Sequence, residues 1–332
     1  MTPYTRREFT KLALLAIPGA GLLSSAGCLA LDESAPGVKN PVSRVNGVMI
    51  GLNVPYSFSS PMMSGDDVLA NCLKLGVSGL ELRAQPVELF LGAPPELIAP
   101  NPRNATIPGA VPVERAAVLS AAEKVAKLRA WRLATAPALA KEFRKKYEQA
   151  GVLIEILKVD NIFAMADGEL DYCFALAKAL GARAISCEIS TKDEDLRRLG
   201  SFADKHRMFV GYHGHTKVTP AIWENAFSLA KYNGANVDLG HFVAGNSYSP
   251  VEFIKKYHDR ITHVHVKDRK LHDGPNTPFG EGDTPIVEVL RLIRDRGWRM
   301  QATIEFEYKV PEGSDRMKEI ARCVKYCRDA LT

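Results

Sequence analysis

The sequence predicts a fold of the α/β class, a single (β/α)8 (TIM) barrel. Three observations point to it. Short apolar runs alternate with amphipathic helical stretches eight times in about 285 residues, which is the count and spacing of such a barrel. The first strand–helix turn, residues 53–64, has no Gly-rich phosphate fingerprint, which weighs against a doubly wound sheet. Chemistry-bearing residues recur late in the expected strands, where an α/β barrel places its site.

The elements are expected in this order. Strand one is 48–52, followed by Asn53 and a helix over 66–75. Strand two is GLELR at 79–83 and carries Glu81. Residues 85–112 are Pro-rich with little periodicity and read as a long loop, either capping the barrel mouth or packing on another subunit, which leaves a homo-oligomer open. Helices follow at 113–131 and 137–150, then strand three at 151–157 and a helix at 168–180. Strand four, 182–189, ends in Cys187 and Glu188, and a helix covers 194–205. Strand five, 208–215 (MFVGYHGH), brings His213 and His215, with a helix at 221–231. Strand six brings Asp238 and His241 from residues 236–242, before a helix at 250–257. Strand seven, 261–266, is followed by a helix at 286–296, strand eight at 301–306 and a closing helix at 315–331.

The seventh strand carries the strongest chemical signal. ITHVHVKD alternates apolar and polar residues, so His263, His265 and Lys267 share one face. Polar groups aimed into a core need partners. Glu188, Asp238 and Glu305, with Glu307 one step beyond, are the candidates from neighbouring strands. Three carboxylates and one imidazole make a hard, mostly oxygen donor set. That set suits one divalent cation, Mn²⁺ foremost, with Mg²⁺, Co²⁺ or Zn²⁺ as alternatives.

Composition limits the remaining classes. Apolar residues make up 46% and charged residues 24%, enough for a full core. The net charge is +5, but the basic residues are scattered, and the densest run (KEFRKK, 141–146) reads as a solvated helix face. No nucleic-acid partner is therefore expected. Five cysteines beyond Cys28 lack zinc-finger spacing and read as small buried residues. Residues 1–28 read as a targeting segment and 29–45 as a linker, with the barrel from 46 to 332.

Two resemblances add to this reading. Arg6-Arg7, then Phe9 and Lys11 ahead of an apolar run to about residue 23, resemble the bacterial twin-arginine export signal, which implies a periplasmic protein. Ser25-Ala26-Gly27-Cys28 is similar to a lipoprotein processing site with Ser25 in an aliphatic position, so membrane attachment is expected only if Cys28 is lipidated. The strings NVDLGH (236–241), HVHVKD (263–268), FGEGD (279–283) and TIE (303–305) resemble the xylose-isomerase-like sugar phosphate isomerase/epimerase superfamily. The resemblance covers about residues 45–330.

It implies that Glu188, Asp238, His265 and Glu305 hold one divalent metal. It also implies that Glu188 and Glu305 move a proton on a carbon next to a carbonyl, and that His241 contacts substrate. The expected activity is a sugar isomerase or epimerase acting through an enediolate. His213-Gly214-His215 departs from the 3-epimerase pattern toward inosose dehydratases. A keto-sugar lyase or dehydratase, including β-elimination of a keto-glycoside, is the alternative, and a non-catalytic sugar-binding barrel is the second. His213, His215, Lys217, His241 and Lys267 are the expected substrate contacts. The substrate is expected to be a sugar or keto-sugar, and export favours a neutral one.

Overall fold

The computed structural model describes residues 41–60, 62–98 and 119–332. The targeting segment, Cys28 and most of the linker lie outside the described residues. Eight parallel strands close into a barrel: β1 (Val48–Val54), β2 (Gly79–Arg83), β3 (Leu153–Lys158), β4 (Ala184–Glu188), β5 (Phe209–His213), β6 (Asn233–Asp238), β7 (Ile261–Val266) and β8 (Gln301–Ile304). Each strand pairs with the next, and β8 pairs back onto β1. A short antiparallel strand, Arg44–Val45, folds onto β1.

The helices are α1 (Gly65–Leu75), α2 (Ala84–Phe90), α3 (Ala121–Ala134), α4 (Ala140–Gln149), α5 (Asp167–Leu180), α6 (Asp193–His206), α7 (Pro220–Leu229), α8 (Leu239–Asn246), α9 (Val251–Tyr257), α10 (Ile286–Arg296) and α11 (Arg316–Leu331). Their ends follow capping chemistry. In α1 the Ser64 hydroxyl accepts from the Asp67 N–H, and Gly76 closes the helix at φ 64. In α6 three acids fill the first turn and Lys205 and His206 the last, complementing the helix dipole. No helix among the described residues is long and apolar enough to cross a membrane.

The barrel has two interiors. Outward-facing strand residues such as Leu52, Leu80, Ile185, Val237 and Val264 are fully buried against the helices. The bore is polar instead: Asn53, Glu81, Ser186, Asn236, His263, His265 and Thr303 are also fully buried. Barrel bores are normally filled by branched apolar residues, so this one is built for something other than stability. Its floor is the Gln301 side chain, which lies so close to Gly51 that a Cβ there would sit 2.4 Å from it. The five described cysteines are free and buried, as expected of small core residues.

Several expected elements shift. The loop expected over 85–112 begins as helix α2 and a 3-10 turn, Pro95–Leu97. Pro86 stands in the first turn of α2, where its missing N–H has no helical partner to lose. Residues 99–118 lie outside the described set. The helix expected at 113–131 is described as α3, started by a capping box of Ser120 and Glu123. The strand expected to carry both Asp238 and His241 stops at Asp238. That carboxylate accepts the His241 N–H at 2.7 Å and so becomes the N-cap of α8. His215, Glu305 and Glu307 stand in the turns just beyond β5 and β8 rather than on them.

The FGEGD loop has a clear anchor. Asp268 accepts backbone N–H groups from Gly280 at 2.8 Å, Gly282 at 3.0 Å and Thr284 at 3.2 Å. A Cβ on Gly282 would lie 2.0 Å from the Asp268 carboxylate, so only glycine permits this approach. Asp268→Ala leaves those donors without their partner. It is expected to lower the unfolding free energy by about 2 kcal/mol, read as a urea midpoint shift. An unmoved midpoint would show that the loop is held by other means.

Candidate functional site

Strand register assembles the site. Across the sheet Asp238 on β6 is level with His265 on β7, which is level with Thr303 on β8. Glu305, two residues past Thr303, rises above them on the same face. On the other side Glu188 on β4 is level with His213 on β5. The carboxyl ends of five strands thus converge at one mouth.

His265 is the pivot. Its Nε2 donates to Glu81 Oε2 at 2.5 Å, which aims Nδ1 up at Glu305 Oε2, 3.3 Å away, and Asp238 Oδ2, 3.7 Å away. Burial disfavours charge on this imidazole, but Glu81 and Glu305 outweigh it and raise its pKa well above the ordinary value. Asn236 Nδ2 lies 3.0 Å from the same Nε2 and 3.3 Å from His213 Nδ1.

Lys267 is the second cation of the centre. Its ammonium, 2% exposed, donates to Glu305 Oε2 at 2.6 Å and Glu307 Oε2 at 2.7 Å, and stands 3.0 Å from Asp238 Oδ2 and 3.1 Å from His241 Nε2. Burial works against its charge, and the three carboxylates overcome that and hold its pKa well above normal. The carboxylates respond in kind. Burial pushes Glu305 up, but Lys267 and His265 bring it well below the usual range. Asp238 is likewise lowered, with His241 and Lys267 outweighing its burial. Asn53 Nδ2 donates to Glu305 Oε1 at 2.8 Å. Tyr56 donates its hydroxyl to Glu307.

Three other imidazoles, His213, His241 and His263, are held neutral. Burial brings His241 and His263 down to about 4, against the pull of Asp238 and Glu81 respectively. Burial also takes His213 well below its usual value. A neutral buried His binds fewer protons than the same residue unfolded, so its contribution to stability is complete above pH 6.5 and is lost as pH falls toward 4. With chelator present, unfolding free energy should therefore fall between pH 6.5 and 4, by up to about 3 kcal/mol for each of His241 and His263. A flat urea-midpoint series over that window would contradict it.

The fit to a cation is direct. His213, Asp238, His241 and Glu305 offer ligand atoms within 4.8 Å of one another, and all four are buried. Asp238 Oδ2 and His265 Nδ1 face each other at 3.7 Å, held by ion pairs to Lys267 and Glu305 but making no well-formed hydrogen bond among the described residues. A His whose far nitrogen is tied to a carboxylate, as His265 is to Glu81, is the usual arrangement for a metal ligand. These residues fit a divalent cation with oxygen and nitrogen ligands. Of the expected ligand set, the structure brings Asp238, His265 and Glu305 together. Glu188 stands apart, its side chain 47% exposed, with Lys158 Nζ at 3.1 Å and His215 Nε2 at 2.8 Å. Lys158, itself buried, outweighs desolvation and lowers the Glu188 carboxyl far below normal.

A cavity of about 680 Å³ opens onto this centre and is lined by Glu188, His213, His215, Glu305 and Glu307. Lys217 is exposed and lines no part of it. His241 and Lys267 also lie outside its lining, behind the carboxylates. Sequence reasoning gave no role to Glu81, Asn53, Asn236, Lys158 or Arg83. Their signal was a polar residue at an inward position of an otherwise apolar strand, as in GLELR.

Residues 194–327 match the family model described as xylose isomerase-like TIM barrel. An inosose dehydratase from Clostridium perfringens is 25% identical over 164 residues, 43% of this chain and 54% of that protein. An inosose dehydratase from Clostridium botulinum is 36% identical over 130 residues, 32% of this chain and 43% of that protein. The chain thus spans about half the length of the curated relatives it matches. Among solved structures, a probable 3-DHS dehydratase from Bacillus anthracis superposes with a TM-score of 0.57 at 14% identity, covering 84% of this chain and 98% of that one. That likeness bears on the fold alone, which is a closed (β/α)8 barrel.

Proposed function

We propose that the protein is a divalent-metal-dependent lyase acting on a neutral keto-sugar or related cyclic ketone. It removes a proton from the carbon next to the carbonyl and expels a β-hydroxyl or alkoxyl group. The observation that carries the reading is one cavity holding two different proton-handling sets. Glu305 and Glu307, fixed by Lys267, line one part, and the His215–Glu188 pair at 2.8 Å lines another.

Asp238, Glu305 and the imidazoles of His213, His241 and His265 are the residues that would hold the cation, and two carboxylates with three imidazoles suit Zn²⁺ or Fe²⁺ as well as Mn²⁺. When bound, it would supply Lewis-acid polarisation of the substrate carbonyl. Glu305 stays ionised beside Lys267 and is placed to accept the carbon-bound proton. Lys267 keeps Asp238, Glu305 and Glu307 charged and fixed. The C–O bond to the leaving group breaks as the new C=C forms. His215, oriented by Glu188, delivers the proton that the departing oxygen needs. The dehydratase names of the relatives support elimination. A neutral substrate is supported by the pairing of Arg83 with Asp160 and of Arg132 with Glu88 and Glu169, which leaves the two cavity guanidiniums already matched.

A second reading, isomerisation or epimerisation, is favoured by one observation: Glu188 and Glu305 line the same cavity and can serve as two carboxylates for one carbon. Product mass separates the two. Candidate ketoses and keto-glycosides incubated in D₂O with Mn²⁺ should take up deuterium next to the carbonyl, and chelator should stop it. A product lighter by water or by the leaving group supports elimination, whereas unchanged mass apart from deuterium supports epimerisation. Metal-bound protein that exchanges no proton on any of them would rule out both, and leave a sugar-binding barrel.

A further inference from the structure

We propose that the cavity has a second subsite that takes the apolar aglycone of a glycoside. The inference rests on the preceding reading, which puts a sugar at the Glu305–His215 part of the cavity. A single hexose ring displaces on the order of six waters, roughly 180 Å³ at about 30 Å³ each. The cavity is about 680 Å³, so a monosaccharide leaves most of it empty. Cavities of this size take ligands with two or three rings.

The space left over has its own chemistry. It is walled by Leu97 and Ile98 after α2, Val125 and Leu128 on α3, and Met165 before α5. Helix α3 buries none of its residues, and Val125, 53% exposed, and Leu128 line the cavity. The helix is nevertheless anchored. Arg132 pairs with Glu88 at 2.7 Å and Glu169 at 3.1 Å, and Arg129 pairs with Glu169 at 2.8 Å. An apolar helix face held by buried ion pairs over an open cavity is a wall for a ligand.

Between the two regions stands Arg83, 5% exposed, at the end of β2. It spends one nitrogen, Nη1, on both oxygens of Asp160 at 2.6 Å, while its Nε has no hydrogen-bond partner among the described residues. Gln85 Oε1, also on the cavity wall, likewise has none. Both atoms are closed off from the cavity itself, so this pair marks the border of the sugar part and does not carry the subsite, which rests on the volume and the apolar walls. The apolar space beyond that border has the size and the walls for an aromatic or alicyclic ring.

Matched phenyl and methyl glycosides test this by titration calorimetry on the full-length protein with Mn²⁺. The phenyl glycosides should bind at least tenfold tighter. Leu128→Arg, which puts a charge into the apolar region, should cut that ratio fivefold or more. Leu133→Ala, on the same helix but outside the cavity lining, should keep it. Because α3 buries no residue, these variants are expected to fold, and circular dichroism checks that they do. Methyl glycosides that bind with no phenyl preference, or a preference that Leu128→Arg does not move, overturn the subsite alone; that is the result expected if solvent or another part of the chain fills this half. If neither class binds, the sugar reading itself falls, and the subsite with it.

Discussion

Glu305→Gln is expected to lower kcat/KM at least a thousandfold while the barrel stays folded. The side chain keeps its length and can still meet Asn53, but it loses the charge that faces Lys267 and the cation site. Lys267 retains Asp238 and Glu307 as counter-charges, so the fold loses one charged hydrogen bond, about 1.5–3 kcal/mol, rather than its central ion cluster. A thousandfold loss of rate corresponds to about 4 kcal/mol of transition-state stabilisation, which a merely structural carboxylate would not supply. Mn²⁺ affinity should also fall, since one of the two buried carboxylates of the ligand cluster is gone. Steady-state kinetics, metal titration and thermal unfolding measure the three separately. Turnover unchanged in folded protein would remove Glu305 from the chemistry.

The barrel was legible in the sequence because its strands and helices are locally consistent. Ile261–Val266 and Ile286–Arg296 end where alternation and helical period end. The misplacements have local causes. Asp238 was read as mid-strand because nothing in the string NVDLGH marks a helix start except the Asp itself, acting as N-cap to an N–H three residues on. Residues 85–90 were read as loop because a proline masks a short helix when it falls in the first turn. The site was legible as a set of residue types on matching strands, since a period of two fixes which side chains share a face. Which ones meet was not. Glu188 is at the right strand end, but Lys158 and His215 hold it aside. Lys158 is one residue past the expected end of its strand, so no pattern assigned it to the interior. Glu81 was visible as a charge between two leucines, but its bond to His265 spans 184 residues, and only barrel closure brings them together.

Lys267→Met should produce the largest change in stability, and a change that a divalent cation reverses. Methionine nearly fills the space but brings no charge into a centre where Asp238, Glu305 and Glu307 all contact the lost ammonium. Breaking a buried ion cluster by removing one partner costs about 3–5 kcal/mol, because the remaining charges lose compensation they cannot recover from water. Lys267 has a raised pKa, so its contribution is fully present below the unfolded lysine value of about 10.4 and vanishes only above that. The deficit of the variant should accordingly hold steady from pH 7 to 9. It should shrink in acid, where the carboxylates, relieved of their ammonium, protonate more readily. Metal supplies the second test. In the wild type, Lys267 and a divalent cation compete for the charge of Asp238 and Glu305, whereas in the variant the cation alone can neutralise them. Mn²⁺ should therefore bind the variant more tightly, and saturating Mn²⁺ should raise its unfolding midpoint by more than it raises that of the wild type, following RT ln(1 + [L]/Kd). Equal metal-induced shifts in the two proteins would mean that the ion sits away from Lys267, and would redirect the search to the Glu81, His263 and His265 cluster deeper in the bore.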